Sequence, residues 1–65
     1  MSEEEFCDRF RAYMLERAGR THFDDGESIA DYADQTAPTY WEDPSMALDG
    51  PEACAEADMS YWGEE

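Results

Sequence analysis

Ser2-Glu3-Glu4-Glu5-Phe6-Cys7-Asp8-Arg9-Phe10-Arg11-Ala12-Tyr13-Met14-Leu15-Glu16-Arg17-Ala18-Gly19 decides how this chain folds. Ser2 followed by three glutamates is a helix start: a side-chain oxygen to cap the free N–H groups, then acids at the positive end of the helix dipole. Phe6, Phe10, Tyr13, Met14 and Arg17 recur at helical spacing, so the first helix carries one apolar stripe that turns amphipathic near a stop at Gly19. Glu5 with Arg9 and Glu16 with Arg20 stand at i,i+4 in the favourable order, and the arginines read as structural, closing charge pairs on a solvated face.

Beyond that helix, Thr21-His22-Phe23-Asp24-Asp25-Gly26 reads as a connection with Phe23 as an anchor and Asp-Gly as turn chemistry. A short β-hairpin near residues 21–26 is the alternative to an irregular loop. Ile29, Tyr32, Ala33 and Thr36 then fit a second helix with Asp25 or Ser28 at its cap. Pro38 predicts its end near Thr36, because a proline removes a helical donor and restricts the residue before it. Residues 42–50 read as a loop, and Pro51 opens a last helix whose face combines Cys54, Ala57 and Tyr61 with Ala55, Met59 and Trp62 alongside, ending at Gly63 before an acidic tail. The expectation is a mainly α fold: one small three-helix domain over residues 1–65, with irregular acidic loops.

The chain has 65 residues, so one domain is all it accommodates, and its core is small. Its net charge of −14 and low hydropathy are of the kind that favours disorder, but nine aromatic residues give it material to pack. The charge is uneven. Arg9, Arg11, Arg17 and Arg20 are the only strong cations, while Thr21 to Glu65 holds thirteen carboxylates and no Lys or Arg. Such a segment repels itself and attracts cationic surfaces over long range. A solubility role explains a modest acidic excess, and this excess is larger than that.

No apolar run is long enough to span a membrane, and Met1-Ser2-Glu3-Glu4-Glu5 is the opposite of a cationic leader, so the cytosol is the expected location. Cys7 and Cys54 are then expected as thiols packed like small apolar side chains. A disulfide between them is the alternative, worth about 4 kcal/mol through the long loop it would close. No catalytic residues are assigned, and no cofactor or metal is expected. His22 with Asp24 and Asp25 lacks the spaced ligands of a calcium loop, and neither cysteine has a base beside it in sequence. A small redox or metal protein using Cys7, Cys54 and His22 is the reading to beat from another functional class.

Glu27, Asp31 and Asp34 fall at i, i+4 and i+7, and Glu52 with Glu56 repeats the spacing. Together with Asp24, Asp25, Glu42 and Asp43 they form a carboxylate array that approximates a short run of phosphates. Duplex DNA carries about one charge per 1.7 Å of axis, and a Lys- and Arg-lined groove responds to either array. Tyr40 and Trp41 are candidate aromatic anchors where exposed, with burial of at least one expected. The expected partner is the basic DNA-binding groove of a protein, with no direct nucleic-acid binding, no membrane, and a monomer or small homo-oligomer.

In its size, its acid-dominated surface and the stretch Phe23-Asp24-Asp25-Gly26-Glu27-Ser28-Ile29-Ala30-Asp31-Tyr32-Ala33-Asp34, the chain resembles small acidic phage-encoded type I anti-CRISPR proteins that mimic DNA. That resemblance implies binding in the host bacterial cytosol to a crRNA-guided surveillance complex, type I-C being the suggested subtype. The expected seat is the cleft of the large subunit that recognises the PAM and accepts duplex DNA. Target binding would be blocked without chemistry. These inhibitors share a strategy and not a motif, so no residue role carries over individually. The alternative is another acidic interaction protein: a nuclease inhibitor, an antitoxin, or an antagonist of a sigma or other transcription factor.

Overall fold

The computed structural model describes residues 1–62 and is mainly helical, as the sequence predicts, but with four helices where three are expected. Helix α1 spans Glu3–Ala18, α2 Ile29–Glu42, α3 Pro44–Asp49 and α4 Pro51–Met59. The reading of Gly63 as a helix end lies outside the described residues.

Helix α1 begins as its sequence requires. The Ser2 hydroxyl accepts the Glu5 N–H at 3.1 Å, and Gly19 closes the helix in the left-handed region at φ 69°, donating its N–H to the Leu15 carbonyl. Phe6, Phe10 and Met14, one turn apart, are buried. They lie at the centre of the fold, because α1 packs against both α2 and α4. Ile29, Ala33 and Ala37 of α2 and Cys54 and Ala55 of α4 complete a single core. The small residues let the other helices approach the two phenylalanine rings closely.

Three expectations are corrected. Helix α2 does not end near Thr36; it runs through Pro38 to Glu42. A proline inside a helix costs about 3 kcal/mol. Neighbouring side chains of the same helix offset that cost: Ala37 is buried, Trp41 packs on Phe6 at a ring separation of 5.4 Å, and Tyr40 packs on Phe10 at 5.6 Å. Burying side chains of this size returns about 1.5–3 kcal/mol each when complete, so two half-buried rings recover much of what the proline costs, with buried Ala37 adding to them.

The stretch read as a loop over 42–50 contains α3. Asp43 accepts the Ser45 N–H on its side chain at 3.0 Å and Pro44 takes the first helical position, a cap and a pre-set φ in consecutive residues. Gly50, at φ 94° and ψ 159°, is the single joint between α3 and α4, a conformation that a residue with a Cβ rarely adopts.

The last helix keeps only part of the expected face. Ala57 is exposed and Tyr61, beyond the helix end at Met59, is 85% exposed. Cys54 and Ala55 are buried as expected and are joined by Pro51, with Met59 and Trp62 half-buried as expected and Asp58 alongside them. The loop between α1 and α2 is hairpin-like without a strand: His22 and Ser28 form one isolated bridge, Phe23 donates to the Glu27 carbonyl at 2.8 Å, and Gly26 turns the chain at φ 93°.

Candidate protein-docking surface

Every described carboxylate except Asp58 is exposed. Their surroundings differ, however, and the difference is set by α1. Arg9 reaches Glu5 at 3.6 Å on its own helix and Glu52 of α4 at 3.5 Å; Arg11 reaches Asp8 and, across to α2, Asp34, each at 2.8 Å. Arg20 pairs with Asp24 at 2.7 Å and not with Glu16, because the left-handed turn at Gly19 takes it off the helix face. Arg17 lies over the Tyr13 ring at 5.6 Å, and the Tyr13 hydroxyl donates to Glu56 at 3.3 Å. The arginines therefore tie α1 to the acidic remainder as well as to itself, which local sequence spacing does not reveal. These pairs are largely exposed and each contributes about 0–1 kcal/mol. Hydrogen bonding to Asp34 is the main reason that the Arg11 guanidinium is held charged more firmly than usual, against the opposing effect of burial.

Of the nine acids singled out from sequence, Asp34, Glu52 and Glu56 thus meet a partner on another helix, and Asp24 meets one within its own loop. Asp25 and Asp43 fix backbone turns through their side chains, accepting the Glu27 and Ser45 N–H groups at 3.0 Å, while keeping their charge exposed. Glu27, Asp31 and Glu42 make no ion pair among the described residues. Asp31 and Glu42 are eleven residues apart, three helical turns, so they share a face of α2 about 16 Å apart along its axis. Glu27 flanks the first and Asp43 the second. Glu27 lies before the Ser28 cap and so does not share the helical i, i+4, i+7 face expected for it, and the ~16 Å between Asp31 and Glu42 is of the order of the ~12 Å width of a DNA major groove.

Tyr40 and Trp41, the candidate anchors, are half-buried against Phe10 and Phe6 and serve the core. The exposed large apolar side chains are Met1, Leu48 and Tyr61. What sequence reasoning missed is Asp58. Its carboxylate accepts the Tyr32 hydroxyl at 2.6 Å on one oxygen and the Tyr40 hydroxyl at 2.9 Å on the other, clamping α4 to α2. Desolvation first, then the bond to Asp58, pushes the Tyr40 phenol up to about 12. Tyr32 is shifted upward for the same reasons.

The cysteines are unbonded thiols, so the disulfide alternative does not occur. Burial leads in pushing both thiols up, with nearby carboxylates adding to it, and Cys54 donates its S–H to the Met46 carbonyl at 3.0 Å. This is the opposite of the electropositive setting that makes a thiolate. The exposed His22 ring bonds the Thr21 hydroxyl through Nδ1 at 2.9 Å. Among the described residues no three His, Cys, Asp or Glu side chains gather as a metal site, and no helix is long and apolar enough to cross a membrane. Compared with protein-family models, curated proteins and solved structures, the chain matches none.

Proposed function

We propose that this protein is a DNA-mimicking inhibitor that occupies a Lys- and Arg-lined nucleic-acid groove of another protein. The observation that carries this reading is the division of charge. The four arginines all sit on α1 or just past its end, and three are held in ion pairs, while Glu27, Asp31, Glu42 and Asp43 face solvent along α2 and the segments flanking it. A basic groove loses condensed counterions to such a face as it does to phosphates. The resemblance to type I anti-CRISPR proteins makes the large subunit of a type I surveillance complex the first partner to test.

The deciding variant is Asp31→Lys with Glu42→Lys. A lysine near the N-terminus of α2 opposes the helix dipole and one at the C-terminus favours it, about 0.3–1 kcal/mol each, so the fold is expected to survive with nearly unchanged stability. Affinity for the purified complex is expected to fall about tenfold or more, and duplex DNA containing the PAM is expected to displace the unaltered protein. Equal affinity of variant and unaltered protein, with both folded by circular dichroism, would falsify the phosphate-array reading.

A further inference from the structure

The end of the molecule where the α1–α2 loop meets Trp62 holds three rings set nearly at right angles to one another. Phe23 and Tyr32 are 5.5 Å apart at 82°, Phe23 and Trp62 4.9 Å at 76°, and Tyr32 and Trp62 5.9 Å at 81°. None of the three is fully buried. They line an open cavity of about 430 Å³ together with Arg20, Asp24 and Asp25. Aromatic faces carry the negative part of the ring quadrupole, and a corner of three rings with carboxylates at its rim attracts a cation by both its walls and its edge.

We propose that this corner is the seat of one arginine side chain from the basic partner. The proposal rests on the docking reading above for the source of the arginine, and on the corner's own geometry for the choice of ligand. A guanidinium is planar, loses hydration more readily than an ammonium, stacks on ring faces and donates in a fork to a carboxylate. The chain already sets a guanidinium beside a tyrosine where Arg17 lies 5.6 Å from the Tyr13 ring centre and donates to its hydroxyl at 3.0 Å. It sets another on a carboxylate at the rim itself, where Arg20 holds Asp24 at 2.7 Å although the Asp24 side chain is 94% exposed. Arg20 is therefore an internal stand-in, and an incoming guanidinium takes its place on Asp24 while its plane rests against the rings.

The partner is not needed to test this. N-acetyl-arginine amide is titrated into the full chain while the Trp62 indole N–H is followed by NMR, with N-acetyl-norleucine amide as the uncharged control of similar length. Arginine is expected to give a saturable shift with an affinity on the order of millimolar, and norleucine none. Arg20→Ala, on an exposed site, is expected to tighten binding about threefold or more by releasing Asp24, whereas Asp24→Asn and Asp25→Asn together weaken it about tenfold. No saturable response to arginine, an equal response to norleucine, or an Arg20→Ala protein of unchanged affinity would each overturn the seat. The two ideas fail separately: a negative arginine titration leaves the array on α2 standing. A positive titration alongside an Asp31→Lys, Glu42→Lys protein of undiminished partner affinity sustains the seat and removes the array.

Discussion

Two aromatic clusters of similar size meet opposite fates in this molecule. Phe6, Phe10, Tyr40 and Trp41 stack around the α1–α2 contact, with both phenylalanines buried, whereas Phe23, Tyr32 and Trp62 meet edge to face around an open cavity with no ring buried. The first cluster is built on two facing helices, with Phe6 and Phe10 from α1 meeting Trp41 and Tyr40 from α2. In the second, Phe23 comes from a loop and Trp62 from the turn beyond α4, and no described residue closes the corner from outside. Aromatic content alone therefore does not say whether a ring stabilises the fold or is available for binding; what packs against the ring does, since α2 supplies Tyr32 to one cluster and Tyr40 and Trp41 to the other. Asp58 joins the two clusters, holding Tyr40 of one and Tyr32 of the other.

The largest expected effect comes from breaking the covered cluster. Phe10→Ala leaves a cavity at the centre and is expected to cost about 3–5 kcal/mol, the whole stability of a domain this size, so the variant unfolds at room temperature by circular dichroism. Removing the link between clusters ranks next: Asp58→Asn, which keeps the shape and loses the charge on two hydrogen bonds, is expected to lower stability by about 1–3 kcal/mol in a urea melt. Tyr40→Phe in the same background then costs less than it does alone, since the two share one interaction.

The same link sets an alkaline limit. Tyr40 ionises near 12 in the fold and near 10 when unfolded, so its contribution is complete below pH 10 and is lost as pH rises through about 12. Melting temperature is expected to fall across that window, and less steeply for Tyr40→Phe.

The smallest effect has the opposite sign. Pro38→Ala restores a donor inside α2 and is expected to raise stability by about 1–2 kcal/mol, the relief of the helix break less the greater freedom gained by the unfolded chain. A lower melting temperature would show that Tyr40 and Trp41 need the proline's backbone setting to reach the covered cluster.

Much of the fold is legible in the sequence where the signal is local. Ser2 and Gly19 bound α1, its stripe of Phe6, Phe10 and Met14 is the core, Ser28 caps α2, Pro51 opens α4, and Phe23 anchors its loop. Where residues far apart decide, sequence reasoning falls short. Pro38 reads as a stop because the rings that override it are rewarded only by Phe6 and Phe10. Helix α3 buries no residue, so it has no stripe to announce it, although Asp43-Pro44 is a cap and a first-turn proline in plain view. The arginines' cross-helix partners, and the one acid among many that clamps two tyrosines, are matters of tertiary placement. The spacing of Asp31 and Glu42 on one face becomes readable only once α2 is known to continue past the proline.

Gathering all the cations on or beside α1 turns that helix into a counterion that the protein carries with it. Asp34 and Glu52 are neutralised from within and hold fewer mobile ions than their unpaired neighbours, so they have few to release when a partner arrives. The steepness with which partner affinity falls as salt is added would then count the acids that α1 leaves unserved, and a chain with 18 carboxylates would behave in titration as the smaller polyanion that its net charge of −14 describes.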